Sequence, residues 1–288
     1  MRAALEAAGL RLRPSRGQHF LVDRRVLERI LDAAAPAAGD VILEVGAGIG
    51  TLTVALARAG AAVTAVEVDA RFIPVLQAVC AGYPAVHVLH ADAMALTPAM
   101  LPMAVNKVVA NLPYAIASPL LITLLEAGIG RRYVVMVQDE VAARLVAKPS
   151  TDAYGLLSVA VQAHAVPVLV SRVPRTAFFP PPQVRSAIVR LDVPERPPVP
   201  RALVPALMRV ARAAFSQRRK MLRSSLRGAV AEAPDALCAS LGIDPHRRGE
   251  TLSLAEFTRL AAAVAEREPP AQSGTPPSGI TPQGNLVP

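Results

Sequence analysis

The chain has 288 residues, 52% of them hydrophobic, and carries 31 basic against 22 acidic side chains for a net charge of +9. That length calls for one large domain with a smaller partner. No apolar run reaches the ~18 residues that a bilayer-spanning helix needs, so no membrane span is expected. The two cysteines, Cys80 and Cys238, are far apart and lack His or Cys neighbours at ligand spacing. No zinc or other metal site and no disulfide framework are therefore expected, and a reducing cytoplasm is the natural location. The positive charge is almost all arginine, with lysine only at 107, 148 and 220. Arginine's planar fork suits bidentate phosphate contacts, although Ala- and Arg-rich codon usage would bias composition the same way. Residues 1–16 are Arg- and Ala-rich like a transit peptide, but Glu6 interrupts them and they run straight into the motif at residues 17–21.

From about Asp40 to Val193, β-branched runs alternate with helical patterns. The predicted strands are Val41–Val45, Val63–Val68, Val86–His90, Lys107–Ala110, Tyr133–Gln138, Pro167–Val173 and Ala187–Val193. Helices are expected over Gly50–Ala59, Ala70–Ala81, Pro119–Ala127 and Glu140–Ala147. This alternation implies an α/β fold with βα crossovers and a mainly parallel sheet covered on both faces. Only the Pro-rich turn Pro174–Pro182 separates the last two strands, so the final strand should be antiparallel. Residues 194–200 (PERPPVP) form a linker candidate. Beyond it the pattern is purely helical: Ala202–Phe215, Arg218–Arg227, Pro234–Leu241 and Leu254–Val264. The expected division is residues 1–195, a small all-α domain over 196–266, and a Pro/Gly/Ser-rich disordered tail over 267–288.

The first long strand carries Glu44 and breaks into Gly46-Ala47-Gly48-Ile49-Gly50-Thr51. Glycines there let the chain turn sharply and let a ligand approach the backbone. Gly-x-Gly-x-Gly favours a methyltransferase loop over the dinucleotide Gly-x-Gly-x-x-Gly, although such loops also serve nicotinamide and flavin cofactors. Glu67, about twenty positions on, stands at the second strand's tip, where a carboxylate binds ribose hydroxyls; the plainer alternative is a solvated strand-end charge. Asp92 closes the third strand at the same edge, within reach of a cofactor's adenine amino group.

After the fourth strand comes Asn111-Leu112-Pro113-Tyr114. The lone pair of an adenine N6 amine is delocalised into its ring, so the nitrogen is a poor nucleophile. Acceptors for its two N–H groups, the Asn111 side-chain oxygen and the Leu112 carbonyl, can orient that lone pair toward a sulfonium methyl. Pro113 stiffens the turn, and Tyr114 offers a surface for an extracted base. No general base is needed, because the nitrogen becomes acidic only once methylated; positioning and electrostatics carry the catalysis.

Together these blocks resemble the ribosomal RNA adenine dimethylase family. The resemblance runs from about residue 13 to residue 258. Gly17-Gln18-His19-Phe20-Leu21 is similar to that family's N-terminal cofactor motif, and Glu44 to Thr53 to its glycine loop. Gln138-Asp139-Glu140-Val141-Ala142 with Arg144-Leu145, then Tyr154 to Ser158, resemble two further blocks. Phe178-Phe179-Pro180-Pro181-Pro182-Gln183-Val184 resembles the family's loop whose first Phe stacks on the target base. The resemblance implies a Rossmann-like class I methyltransferase sheet using S-adenosylmethionine. It further implies cofactor contacts from Gln18, His19, Leu21, Gly46, Gly48, Glu67, Asp92 and Asn111, with Tyr114 and Phe178 on the adenine.

Leu112 is typical of the small-subunit branch, where the large-subunit antibiotic-resistance branch usually carries Ile. Phe215 to Leu226, and Ile243-Asp244-Pro245 with Arg247 to Leu252, also resemble the small-subunit enzymes. The resemblance therefore implies dimethylation of two adjacent adenines near the 3′ end of small-subunit RNA in a 30S precursor, by a monomer. Arg185 departs from the family's usual Asp, and Ala115 from its common Asn. Residues 201–227 hold eight basic and no acidic side chains. Arg212, Arg219, Arg223 and Arg227 fall at helical spacings and, with Arg218 and Lys220, could line one face for RNA phosphates. The competing readings are a large-subunit resistance methylase, an RNA-binding assembly factor with dispensable catalysis, and a small-molecule methyltransferase. The last leaves the basic helices unexplained.

Overall fold

The computed structural model describes residues 18–217, 219–230 and 233–267. Seven strands form the main sheet: β2 (Val41–Val45), β3 (Ala62–Glu67), β4 (Val86–His90), β5 (Lys107–Asn111), β6 (Arg132–Gln138), β7 (Val166–Val173) and β9 (Ser186–Asp192). They lie in the order β4-β3-β2-β5-β6-β9-β7. All neighbours are parallel except β9, which is antiparallel to both β6 and β7. The expected strands are all present within a residue or two, and the last is antiparallel as its short connection required.

The central strands are continuous apolar runs because helices cover both faces. Tyr133 to Val137 of β6 are fully buried, and each such side chain contributes roughly 1.5–3 kcal/mol through burial. The connecting helices are α1 (Arg24–Ala34), α2 (Thr51–Arg58), α3 (Ile73–Cys80), α4 (Ala117–Glu126), α5 (Asp139–Leu145) and α6 (Leu156–Gln162). Asp23 caps α1 by accepting from Arg25 N at 2.8 Å, satisfying an otherwise orphaned donor. The amino-terminal ends of β2 and β5 are tied by Asp40, which accepts from Lys107 Nζ at 2.7 Å and Asn106 Nδ2 at 2.9 Å. Asn106 Oδ1 accepts in turn from Val41 N at 2.9 Å. That network fixes the register of the two strands whose opposite ends carry the glycine loop and Asn111.

One feature lies beyond the strand–helix alternation. β1 (Phe20–Leu21) pairs antiparallel with β8 (Phe178–Phe179), matching Phe20 to Phe179 and Leu21 to Phe178. This two-residue ribbon folds the Pro-rich connection back over the N-terminal motif.

The helical segment comprises α7 (Val204–Ser216), α8 (Leu222–Ser225), α9 (Pro234–Ser240) and α10 (Leu254–Arg267). Arg267 closes α10, so the last helix runs through the position expected to open the tail; the rest of that tail lies outside the described residues. The expected Arg218–Arg227 helix shrinks to the single turn of α8. Its backbone instead bonds to residues 245–247, through Leu222 N to Arg247 O at 2.8 Å and Arg223 N to Pro245 O at 3.0 Å. Those bonds join the two C-terminal signature blocks. Ser253 and Glu256 form a capping box at the start of α10, Ser253 N donating to Glu256 Oε2 at 2.7 Å. The Arg247 guanidinium beside Glu256 holds that carboxyl down to about 2. Gly249 is required where the chain crosses α7, because a Cβ there would stand 2.7 Å from the Ala214 carbonyl oxygen. Within the linker candidate Val199 is fully buried, in a cluster that includes Tyr154, Val159, Leu207 and Phe257.

Candidate active site

Because β2 to β5 run parallel, their carboxyl ends share one edge, and the glycine loop, Glu67, Asp92 and Asn111 emerge together there. They line a cleft of about 420 Å³, joined by Gln18, His19, Leu112, Pro113 and Tyr114. Such a crevice at the carboxyl edge is where open α/β sheets bind ligands.

Gly46 and Gly48 adopt φ of +72° and +57°, the left-handed region that costs an L residue roughly 1 kcal/mol or more. A Cβ on Gly48 would also stand 2.5 Å from the Phe20 ring, and one on Gly46 would touch Pro113 at 3.5 Å. The loop after β2 thus lies against the Asn-Leu-Pro-Tyr turn after β5. Glu67 is not a solvated strand-end charge: it is only 7% exposed. Its carboxylate accepts from Gly48 N at 2.8 Å and Asp69 N at 2.9 Å, which holds the loop and leaves further lone pairs for a ligand's hydroxyls. Asp92 is exposed at the cleft rim, and its Oδ1 caps the following turn by accepting from Met94 N at 2.9 Å.

Asn111 Nδ2 donates to the His19 carbonyl at 3.3 Å, so the amide oxygen is the atom left to accept from a ligand. The His19 ring lies on Tyr114, centroids 6.0 Å apart and planes 25° apart. His19 Nδ1 donates to the Pro180 carbonyl at 2.8 Å, which orients the ring. Tyr114 is anchored by a 2.7 Å hydrogen bond between its hydroxyl and Ser186 Oγ. Burial raises its pKa, keeping the phenol neutral. Leu112 is buried and its N–H donates to the Met136 carbonyl at 3.1 Å, so its own carbonyl is set by a turn locked to the sheet. Gln18 reaches Asp69 with Nε2 at 3.0 Å, and Arg71 holds the Asp69 carboxyl well below its usual range.

Leu21 is 8% exposed and Phe178 3% exposed, and both side chains point into the core. Alternation along the β1–β8 ribbon puts their chain neighbours Phe20 and Phe179 on the other face. Phe20 lines the cleft, and Phe179 is the exposed ring of its loop. Arg212, Arg219, Arg223 and Arg227 do not share a helix face, because α7 ends at Ser216 and α8 begins only at Leu222. Arg219, Lys220 and Arg227 are exposed around α8. Arg223 is half-buried, its Nε 3.5 Å from Asp235 Oδ1 and its Nη1 3.2 Å from His246 Nε2. Arg212 faces a different cleft, and Arg218 lies outside the described residues, as does Gly17 of the N-terminal motif.

Sequence reasoning did not single out Phe72, which also lines the cleft and packs edge-on to Phe20 at 5.5 Å, nor the Ser186 anchor. Ala115 is exposed at the cleft. Arg185 faces Asp139 at 3.9 Å, alongside Arg172 at 3.1 Å. Asp139 and Glu140 open α5, where carboxylates favour the positive dipole end. Among the described residues no group of three or more His, Cys, Asp or Glu could hold a metal, and no helix is long and apolar enough to cross a membrane.

A glycine turn on the first strand, carboxylates at the next two tips and Asn-Leu-Pro-Tyr on the fourth define a Rossmann-like methyltransferase. The family model described as ribosomal RNA adenine dimethylase matches residues 9–266. A small-subunit ribosomal RNA methyltransferase A of Phenylobacterium zucineum is 44% identical over 94% of this chain and 95% of its own. A dimethyladenosine transferase of Plasmodium falciparum superposes with a TM-score of 0.75 at 27% identity, over 86% of this chain and 98% of its own. The 23S rRNA methyltransferase ErmE superposes at 0.67 with 26% identity, over 85% and 99%. The chain belongs to the ribosomal RNA adenine dimethylase family, whose members are S-adenosylmethionine-dependent enzymes.

Proposed function

We infer that this protein dimethylates N6 of two adjacent adenines near the 3′ end of small-subunit ribosomal RNA, acting as a cytoplasmic monomer on a 30S precursor. The observation that carries the reading is the Asn111–Tyr114 turn, packed against Gly46 with its amide nitrogen held by the His19 carbonyl. The small-subunit assignment is supported by the relative of that description at 44% identity.

S-adenosylmethionine supplies an electrophilic methyl on a sulfonium centre. Its fit rests on the positive-φ glycine cradle, the buried Glu67 carboxylate for the ribose and Asp92 for the adenine amine. Gln18 and His19 close the near side of the same cleft. The remaining work falls to the chain's own groups. The Asn111 side-chain oxygen and the Leu112 carbonyl accept the two N6 hydrogens and turn the lone pair out of conjugation. Pro113 keeps that carbonyl aimed. Tyr114, backed by His19 and pinned by Ser186, supports the base face. The nitrogen sheds a proton only after it becomes cationic, so water suffices as acceptor. Fixed dipoles that need no reorganisation are the efficient form of such catalysis.

Labelled methyl transfer to small subunits from cells lacking the modification tests the reading. Large subunits and naked RNA run alongside, and the labelled nucleoside is identified. Dimethyladenosine in the small subunit is expected. Label confined to the large subunit would move the protein to the resistance branch. Tight binding without transfer would leave a role in assembly alone.

A further inference from the structure

A second cleft, of about 680 Å³, opens at the opposite, amino-terminal edge of the sheet. Glu126 ends α4 ahead of β6, and His164 follows α6 ahead of β7; β6 and β7 run parallel to the strands of the active site, so both residues stand at their starting edge. The other wall is α7 with the single turn Arg201–Leu203 that leads into it. Positions 201, 205, 208, 209 and 212 recur at helical spacing and turn one face to the cleft. It is lined by apolar Val204, Pro205 and Met208 and by the exposed Arg201 and Arg212, with Arg209 partly buried beside them.

An adjoining cavity of about 370 Å³ shares His164 and Arg201 and adds Arg131, so the two form one groove. Four arginines line it against two acids, Glu126 and Glu195. Among the described residues Arg131, Arg201 and Arg212 form no ion pair. Arg201 is an exposed cation seated over Gly128, where a Cβ would stand 2.6 Å from its Nη2. Burial lowers the pKa of His164, so it enters the groove as a neutral hydrogen-bonding group.

We propose that this groove seats the sugar–phosphate backbone of the substrate RNA, with Arg201 and Arg212 on phosphates and the apolar Val204, Pro205 and Met208 against a ribose or base. This rests on the proposed action on RNA, and places a contact at the edge of the sheet away from the target adenine. Unpaired guanidinium forks match phosphodiester oxygens in geometry and charge. An apolar lining beside them suits the uncharged faces of a nucleotide.

The test compares the full-length parent with Arg201→Ala/Arg212→Ala, and with Arg212→Ala alone. Binding to small subunits is measured at low and moderate salt, beside methyl transfer at saturating subunit. The double variant should bind about tenfold or more weakly at low salt. The slope of log affinity against log salt should flatten by about two, one unit for each arginine removed from a phosphate. Arg212→Ala should show about half that change, and kcat and S-adenosylmethionine binding should match the parent. Parent-like affinity and slope in a variant with parent-like thermal unfolding would overturn the proposal. So would saturable binding of AMP or of poly-glutamate that the double variant loses while RNA affinity stays unchanged; the groove would then serve a free nucleotide or an acidic protein. If the parent failed to methylate small subunits, the functional reading would fail by itself, and the affinity comparison would still decide the groove.

Discussion

Glu44→Gln isolates one buried group of the cofactor cradle. Glu44 is 2% exposed on β2, and its Oε2 accepts from Thr53 Oγ1 at 2.5 Å. Burial pushes the carboxyl up to about 8 from 4.5, against the Thr53 hydrogen bond and helped by the nearby Glu67 charge. The folded protein therefore holds this proton more tightly than the unfolded chain does. The stability it contributes is fully present below about pH 4.5 and is lost as pH rises through about 8. Each pH unit in that window is worth about 1.4 kcal/mol, which sets a ceiling of about 5 kcal/mol. Relaxation around the ionised form lowers it, and about 2 kcal/mol is expected.

Glutamine keeps an acceptor for Thr53 and cannot ionise. Urea unfolding of parent and variant at about pH 5, 7 and 9 reads the difference. The variant should match or slightly trail the parent at the acid end and gain on it steadily toward pH 9. Parallel stability curves across that range would refute a proton on Glu44 in the folded state.

Other perturbations probe the cleft and the basic surface. Gly48→Ala places a Cβ against the Phe20 ring at a φ of +57°; S-adenosylmethionine affinity by calorimetry should fall about tenfold or more, with a stability loss of about 1 kcal/mol from the strained backbone. Glu67→Ala removes the acceptor for Gly48 N and Asp69 N, and it should weaken cofactor binding far more than kcat at saturating cofactor. Replacing the exposed Arg219 and Lys220 by Ala should lower RNA affinity and flatten its salt dependence by one to two units; unchanged binding at both salt levels would remove the α8 surface from the RNA footprint.

The parts of the site carried by long strands were legible from sequence, because a parallel sheet puts every strand's carboxyl end at one edge. Locating the ends of β2, β3, β4 and β5 therefore sufficed to assemble Gly46, Glu67, Asp92 and Asn111. The face taken by Leu21 and Phe178 was not legible, for the converse reason. A two-residue ribbon has no periodicity to read, and a one-residue change of face exchanges Leu21 for Phe20 and Phe178 for Phe179. The basic stretch misled through helical spacing. Arg218 to Lys220 give no breaker signal, yet backbone bonds from Leu222 and Arg223 to residues 245–247 draw the chain out of the α7 axis. That pairing joins positions too distant in sequence for spacing to reveal. Glu44 was visible as part of the glycine block, but its protonation follows from burial, helped by the Glu67 charge, which only the packed sheet supplies.

The central claim is that acceptors at the tip of β5 make the adenine amine reactive. It is tested most directly by single-turnover methyl transfer to unmodified small subunits, with parent and Asn111→Ala compared at saturating cofactor and the nucleoside products identified. The account predicts dimethyladenosine from the parent and transfer slowed at least about a hundredfold in the variant, the scale of losing one preorganised transition-state hydrogen bond, with cofactor affinity changed much less. Transfer by the variant at the parent's rate would contradict it.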